Sequence, residues 1–270
     1  MSPTAFDIGV LEQSEMTLNL DFNHQVSWAA LAQPTNIAFG LEWREETYKV
    51  SAGEPASYQV GPGAAEGLPS GSNGFPGFSP DQAGESDQIS HSAYVDFEVP
   101  VSDSFTLGLA GRYEHYSEHD DDIFTGKISG RYEVSESLAL RSTFSTGFRA
   151  PTPGQLFSER TSQGLDTVTL NIFTAGRFSP EGPIADLISQ RPGASIQSLE
   201  AEESTNFSAG VVYRNDYGFN SSIDIYRIDV DNRFGTSESF TLTDTERQQL
   251  ISLGVPGGEG ITRVNFFQND

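Results

Sequence analysis

The sequence has no cysteine, few basic residues and no long hydrophobic run, and each absence narrows the possible functions. Without cysteine there are no disulfides, but because a cell-surface protein can do without them, the compartment stays open. The 15 Lys and Arg residues are outnumbered by 38 Asp and Glu residues, and the net charge of −23 argues against nucleic acid as a partner. No stretch approaches the roughly 18 apolar residues of a transmembrane helix, although membrane-spanning strands leave no such stretch.

The amino terminus also lacks the basic region and apolar segment of a signal peptide. A protein of the outer membrane requires such a peptide for export. The sequence therefore indicates either a soluble protein or a fragment of a longer, exported one. With 270 residues, the chain is long enough for one large β-domain or two ordinary ones.

What the sequence does contain is a strict alternation of apolar and polar residues, strongest between residues 104 and 153. Because successive side chains of a strand point to opposite faces, this alternation predicts β-strands. Three successive segments show it, each about ten or more residues long, which is about the length that a tilted strand needs to cross a bilayer. Their apolar positions are Phe105, Leu107, Leu109, Gly111 and Tyr113; Ile128, Gly130, Tyr132 and Val134; and Leu138, Leu140, Phe144 and Phe148.

The same alternation recurs along the chain and predicts nine antiparallel strands in all. Outside the central stretch they cover residues 16–23, 37–50, 91–99, 206–213, 219–233 and 261–267. In 219–233 the apolar side changes partway, which predicts a β-bulge. A strand-like piece is expected at 167–173 and short helices at 184–190 and after Thr243, which forms a capping-box spacing with Glu246.

The connections between the predicted strands alternate between short and long. Short ones lie near residues 24–35, 100–103, 134–137 and 215–218, and the others, of which one is short and three are very long, cover 51–86, 115–123, 149–202 and 234–260. Turns at one rim and long loops at the other are the layout of an outer-membrane barrel. Because nine strands would leave two edges unpaired, the sequence indicates part of such a barrel rather than a closed one.

Charged residues are segregated onto one face of these strands. The polar face carries Glu42, Arg44, Asp96, Glu98, Arg112, Arg131, Glu133 and Arg141. A charge on the lipid side at mid-bilayer costs about 2–4 kcal/mol, so the segregation has a physical cause in a membrane barrel. A soluble β-sandwich with polar outer faces is the alternative, and its strands should be shorter.

Several motifs along these strands resemble one known family. The most specific are STGFRAP at residues 145–151, EESTN at 202–206 and YRIDVDNR at 226–233, and similar segments cover nearly the whole chain in the family's order. They look like the β-barrel part of TonB-dependent outer-membrane receptors. The resemblance implies an all-β fold, an antiparallel transmembrane β-barrel segment. It comprises about nine strands of a roughly 22-stranded barrel, with long extracellular loops that hold short helices.

The resemblance also implies a function, a location and partners. Such receptors lie in the outer membrane of Gram-negative bacteria and take up a scarce ligand, such as an iron–siderophore complex, a vitamin or an oligosaccharide. Energy comes from the TonB complex through an N-terminal plug inside the barrel. We expect residues 1–270 to be a partial barrel domain in contact with outer-membrane lipid, with the plug domain and the C-terminal strands absent. The alternative is a secreted, soluble β-rich module that binds carbohydrate or another ligand.

Neither a catalytic site nor a cofactor or metal site is predicted, so we do not expect an enzyme. His115 and His119 lie among acidic residues in one loop, and we interpret that cluster as solvated and exposed. Ligand contacts in this architecture should come from loop tips and from the inward face near the outer rim. Because aromatic rings and arginines bind planar anionic chelates or stack on sugars, the candidates are Tyr58, Phe75, Phe78, Tyr116, Arg149, Phe157 and Arg160.

Overall fold

The computed structural model describes residues 5–31, 33–59, 61, 76–117, 121–165, 172–255 and 260–270, which form two β-sheets and short helices. In chain order the strands are β1 (Val10–Val26), β2 (Thr35–Ser51), β3 (Gly84–Ser102), β4 (Phe105–Tyr116), β5 (Asp121–Ser135), β6 (Leu138–Arg149), β7 (Arg160–Leu165), β8 (Ile172–Phe178), β9 (Glu202–Arg214), β10 (Asn220–Asp231), β11 (Phe234–Thr236), β12 (Phe240–Thr241) and β13 (Ile261–Asn269). The helices are α1 (Pro55–Tyr58), α2 (Pro153–Phe157), α3 (Pro183–Ser189) and α4 (Asp244–Ser252). Among the described helices, none is long and apolar enough to cross a membrane.

Eight strands form one antiparallel sheet in the order β1-β2-β3-β4-β5-β6-β9-β10, which we call the arc. These strands are 12 to 19 residues long, so each can cross a bilayer at a tilt. Short connections join them at one rim, and the other rim has three long connections and the four-residue connection between β4 and β5. The register, for example Leu18 opposite Trp43 and Trp43 opposite His91, fixes which side chains share a face.

The two faces of the arc differ in polarity, as the sequence predicts. On the outer face, one row crosses four neighbouring strands through Leu109, Ile128, Phe144 and Phe207. These apolar side chains are between 38% and 49% exposed, which is unusual for a contiguous patch on a soluble protein. The predicted charged residues lie together on the opposite, inner face. The apolar face is therefore the lipid-facing side of a membrane β-barrel wall.

The second sheet is built from the long connections that follow β6 and β10. Its order is β11-β13-β8-β7, with β12 also paired to β13, and β13 runs parallel to β8. One face of this sheet packs with α3 and α4 around a closed hydrophobic core. That core comprises Phe178, Ile184, Ala185, Leu187, Ile188, Leu242, Leu250, Ile261, Val264 and Phe266. We call these five strands and two helices the cap.

The cap helices follow their sequence signals. At the start of α4, Thr243 Oγ1 accepts from the Glu246 amide at 3.3 Å, and Glu246 Oε2 accepts from the Thr243 amide at 2.7 Å. This reciprocal pair satisfies two amides that the first helical turn leaves unpaired. α3 begins at a proline and buries Ile184 and Ile188 against the sheet. Both predicted helices are confirmed.

Two expectations about the strands are wrong. The ninth predicted strand, residues 261–267, exists as β13, but it pairs within the cap, so the arc contains eight strands. The bulge expected in residues 219–233 does not occur, because β10 pairs with β9 without a register shift along its whole length. The apolar residues that suggested a bulge, Tyr226, Ile228 and Val230, lie on the inner face instead.

The strands also extend further than the alternation predicts. β3 begins at Gly84, inside the predicted loop 51–86, and β5 begins at Asp121, inside the predicted loop 115–123. Beyond the bilayer both faces of a strand meet water, so the alternation that marks a strand is lost there. The strand-like piece expected at 167–173 overlaps β8, which begins at Ile172, and its earlier residues lie outside the described part of the chain.

Candidate ligand-binding site

The face of the cap sheet that points away from its core carries arginine and aromatic residues. In the antiparallel pair β7–β8, Arg160 lies directly opposite Arg177, and in the parallel pair β8–β13, Asn265 lies beside Arg177. The alternation along each strand places further residues on this side. We call the resulting surface the arginine face, which comprises Arg160, Phe173, Arg177, Arg263, Asn265 and Phe267.

Ring contacts orient two of these guanidinium groups. Arg177 lies over the Phe267 ring at 4.8 Å from its centroid, and Arg263 lies over the Phe173 ring at 4.3 Å. Arg177 Nε also donates to Asn265 Oδ1 at 3.3 Å. A guanidinium stacked on a ring keeps its planar fork of donors in a fixed direction, and this geometry suits the recognition of an anion.

Two positively charged residues of the arginine face, Arg160 and Arg177, lie opposite each other and repel. Like charges directly opposite in a β-ladder are destabilising. Burial and the charge of Arg160 together lower the pKa of Arg177. A carboxyl lies next in the chain at Glu159, and burial raises its pKa. An anion bound between Arg160 and Arg177 would relieve their repulsion, so this arrangement can hold a negatively charged ligand.

Helix α2 connects the arginine face to the inner wall of the arc. It contacts β2 and β3, and Leu156 within it is 3% exposed. A Cβ atom at Gly154 would lie 3.1 Å from the Tyr48 ring, so a glycine permits this close approach to β2. Phe157 is the last residue of α2 and comes three positions before Arg160. Both candidates therefore lie where the cap meets the inner face of the arc.

The inner wall near the long-loop rim carries a dense ion-pair network centred on Glu114. Its side chain is 2% exposed and accepts from Arg44 at 3.0 Å and Arg112 at 2.9 Å. The Tyr116 hydroxyl donates to the same carboxylate at 2.7 Å, and Arg112 also pairs with Glu42 at 2.9 Å. Tyr116 was predicted to contact ligand. It is only 7% exposed, and its hydroxyl belongs to this network.

Arg149, another predicted ligand residue, lies at the junction between the arc and the cap. It pairs with Glu202 at 3.1 Å and lies over the Phe234 ring at 4.9 Å. Glu202 also accepts from the Phe234 amide at 2.7 Å. Since these contacts join β6, β9 and β11, the arginine positions the cap on the arc.

The other predicted aromatic residues occupy the connection between β2 and β3. Phe78 is 8% exposed, and its backbone amide donates to the Ile8 carbonyl at 3.0 Å. Tyr58 ends α1 and is half-buried. Phe75 lies outside the described residues. Of the predicted residues, Arg160 belongs to the arginine face, Phe157 precedes it by three positions, and Tyr58 and Phe78 lie in a separate loop.

Sequence reasoning missed most of the arginine face. The alternation in Phe173–Ala175–Arg177 and in Arg263–Asn265–Phe267 was the available signal, because it puts polar or aromatic residues on one side of each strand. The two segments come together only through the pairing of β8 with β13, across 88 positions of sequence. Within the described ranges, no three His, Cys, Asp or Glu side chains form a metal-binding arrangement, and His119 lies outside those ranges.

Comparison with known proteins agrees with this architecture. The family described as TonB dependent receptor-like, beta-barrel matches residues 5–265. No curated protein matches the chain. Among solved structures, the siderophore receptor PirA from Pseudomonas aeruginosa has 14% identity and a TM-score of 0.63, covering 97% of this chain and 38% of its own. PirA from Acinetobacter baumannii has 15% identity and a TM-score of 0.59, covering 96% of this chain and 33% of its own.

A further solved structure contains a ligand. A point mutant of the ferric enterobactin receptor PfeA from Pseudomonas aeruginosa, in complex with enterobactin, has 14% identity and a TM-score of 0.61. That match covers 96% of this chain and 32% of PfeA, so the present chain spans about a third of the length of the receptors it resembles. At this identity the likeness concerns the fold. The family match over residues 5–265 identifies the chain as a member of the TonB-dependent receptor β-barrel family.

Proposed function

We propose that this chain forms part of the barrel wall and extracellular cap of an outer-membrane receptor that takes up a scarce ligand. The observation that carries the proposal is the reversed polarity of the arc. Its apolar rows face outward and most of its charged residues face inward, with Arg227 and Asp229 of β10 as exceptions, in a chain of the receptor family. In the longer protein, further strands complete a roughly 22-stranded barrel around a plug domain, and TonB supplies the energy through that plug.

The unpaired edges of the arc support a larger barrel. β1 and β10 are the outermost strands, and almost every residue of both is exposed. An unpaired strand edge inside a bilayer leaves backbone groups without hydrogen-bond partners, which is costly in hydrocarbon. Neighbouring strands on both sides would remove that cost.

The arginine face favours an anionic ligand among the classes that such receptors take up. Arg160, Arg177 and Arg263 are three of the 15 basic residues in a chain with a net charge of −23. An iron chelate with negatively charged oxygen ligands and flat aromatic rings would meet both the guanidinium groups and the rings of this face. A neutral oligosaccharide would use the rings alone. We therefore propose an iron–siderophore complex as the ligand, held by the arginine face together with Phe157.

The location is tested by fractionation of cells that produce the full-length protein. We expect it in the outer-membrane fraction, with a mobility on unheated gels that changes on boiling, as is usual for folded barrels. Recovery as a soluble periplasmic or secreted protein would support the carbohydrate-binding module instead and would overturn the proposal.

The ligand class is tested with a ferric tris-catecholate complex as the probe. Replacing Arg177 by Gln removes a charge-assisted contact, so we expect affinity to fall about 10- to 100-fold. The matched control is Arg214→Gln, which removes the same charge at the opposite rim and should leave affinity unchanged. Equal affinity of the unmodified protein for an uncharged chelate, or no effect of Arg177→Gln, would contradict an anionic ligand at this face.

A further inference from the structure

The outer face of the arc contains a trough across three strands. Its floor consists of small residues that the register aligns: Gly130 on β5, opposite Ser142 on β6, opposite Ala209 on β9. The next row towards the short-turn rim carries Tyr132, Leu140 and Val211, which form one wall. Together these residues and their neighbours line an open groove of about 540 Å³.

The trough has defined ends as well as a defined wall. At one end the Phe105 ring lies against Gly130, where an added Cβ would be 3.3 Å from it. At the other end lies Ile225 of β10, which pairs with Ala209. From β4 to β10 there are four strand spacings, or about 19 Å at the usual separation. Because the Phe105 and Ile225 side chains themselves close the two ends, the open length of the trough is shorter than this distance.

The floor of the trough is apolar towards the lipid. Ser142 Oγ donates to the Ser208 carbonyl at 3.0 Å, so its hydroxyl is satisfied by the backbone. Besides apolar side chains, the lining includes Gly130, Gly210 and Arg141, and the Arg141 guanidinium pairs with Asp224 on the inner face. A groove without unpaired polar groups favours a hydrocarbon occupant over a polar one.

The trough lies close to the short-turn rim, and this position indicates which leaflet of the membrane it faces. Ser142 lies four residues after β6 begins at the short-turn rim, and Ala209 lies five residues before β9 ends there. In an outer-membrane barrel this rim faces the periplasm. Tyr132 and Tyr213, on the outer face near the same rim, lie where tyrosines meet lipid headgroups.

We propose that this trough is a binding site for one acyl chain of a phospholipid in the periplasmic leaflet. The trough is continuous with the lipid-facing surface of the arc, and strands of such barrels tilt by about 35–45°. A groove that runs across tilted strands meets the leaflet obliquely, so a chain descending from its headgroup can enter lengthwise. The inference rests on the proposed membrane location and adds a fixed lipid to it.

The test uses the full-length protein reconstituted with a phospholipid that carries a diazirine in its acyl chain. After illumination, we expect labelled peptides from residues 138–149 and 202–214 to exceed those from residues 35–51 of β2. The variant Ala209→Leu fills the trough and should reduce that labelling about tenfold, the factor that losing roughly two buried methylenes produces. Ala93→Leu makes the same change on the outer face of β3 and should not alter it.

The labelling results distinguish failure of the acyl-chain site from failure of the proposed membrane location. Even labelling of all outer-face strands, or unchanged labelling in Ala209→Leu, would overturn the acyl-chain site while leaving the membrane location intact. Labelling of the other outer-face strands with residues 138–149 and 202–214 left unlabelled would mean that protein, and not lipid, covers the trough. Absence of labelling from every strand would instead contradict the proposed membrane location. Even if Ala209→Leu fails to fold, the labelling pattern of the unmodified protein tests the acyl-chain site.

Discussion

The arc and the cap use the same apolar residue types in opposite ways. In the cap, Ile184 and Ile188 are 1% and 0% exposed inside a closed core. In the arc, Ile128 and Phe144 are 49% and 48% exposed on central strands. Leaving such surface in water costs about 25 cal/mol per Å², but lipid tails are as apolar as the side chains themselves. The apolar residues of the cap are therefore buried away from water inside the protein, whereas those of the arc face lipid.

The two regions also differ in how they use charge. On the inner wall of the arc, the carboxylate of Glu114 is 2% exposed and shared by two arginines. In the cap, Arg191 pairs with Glu246 at 2.7 Å at the start of a helix. The first network lies within a wall between strands, whereas the second joins two segments of the cap. Four changes should affect the two regions differently.

The largest effect is expected from opening the cap core. Ile188→Ala leaves a cavity in a fully buried site and should cost about 2–5 kcal/mol of cap stability. Hydrogen exchange of the full-length protein should show lost protection in α3 and β13 while the arc stays protected. Ile128→Ala on the outer face is the control and should change little. Equal loss in both regions would mean that cap and arc unfold as one unit.

The second-largest loss of stability is expected from a charge on the lipid-facing side of the arc. Phe144→Arg places a guanidinium among apolar rows and should cost about 2–4 kcal/mol. Its neighbour Thr143 lies on the inner face, so Thr143→Arg provides the matched control with a small effect. Urea titration of folding into phospholipid vesicles measures both. If the two variants were equally stable, the assignment of outer and inner faces would be wrong.

An intermediate effect is expected when acid protonates Glu246 of the cap. Hydrogen bonds from Arg191 and from Thr243 lower the pKa of Glu246 to about 2, from an ordinary value of 4.5. A carboxyl with a lowered pKa in the folded state contributes stability above its ordinary value, and this contribution is lost as pH falls from about 4.5 to about 2. Exchange protection of α4, corrected for intrinsic rates, should fall in that window.

The matched variant for this pH effect is Glu246→Gln. It should lower the protection of α4 at neutral pH and remove the part of the pH dependence that the carboxylate causes. If its acid profile matched that of the unmodified protein, the ion pair with Arg191 would not stabilise the cap.

The smallest effect is expected for an exposed pair on the arc. Arg131 and Glu133 approach to 2.9 Å, but their side chains are 39% and 47% exposed. Solvent and salt screen such pairs, so Arg131→Gln should change the free energy of unfolding by less than about 1 kcal/mol. The same vesicle titration measures it. A loss comparable to that of Phe144→Arg would indicate that the inner wall is drier than its exposure implies.

The strands of the arc could be predicted from the sequence because their signal is local. Each barrel strand has one lipid-facing side and one polar side, so the alternation near Leu107 or Phe207 needs no knowledge of distant residues. The same reasoning failed for residues 261–267, since a cap strand and a barrel strand carry similar alternation. Only the partner of β13, a parallel β8, distinguishes them.

The candidate site was less predictable for the same reason. Arg160 was predicted as a single loop residue, but its neighbour Arg177 is set by the β7–β8 register, and Arg263 by the non-local pairing of β13. Arg149 and Tyr116 have the residue types of ligand contacts, yet the structure engages both in protein contacts. Residue type indicates what a side chain can bind, while its neighbours decide what remains available.

The sequence alone was enough to predict the eight strands of the arc, most of their lipid-facing sides and the family, but not the place of residues 261–267. These follow from alternation and from the cost of charge in hydrocarbon, both of which act on each strand separately. The tertiary structure decided the cap, because its core and its parallel pair join segments that are far apart in the chain. It also decided the arginine face and the trough, since both surfaces exist only where the register aligns residues from three strands.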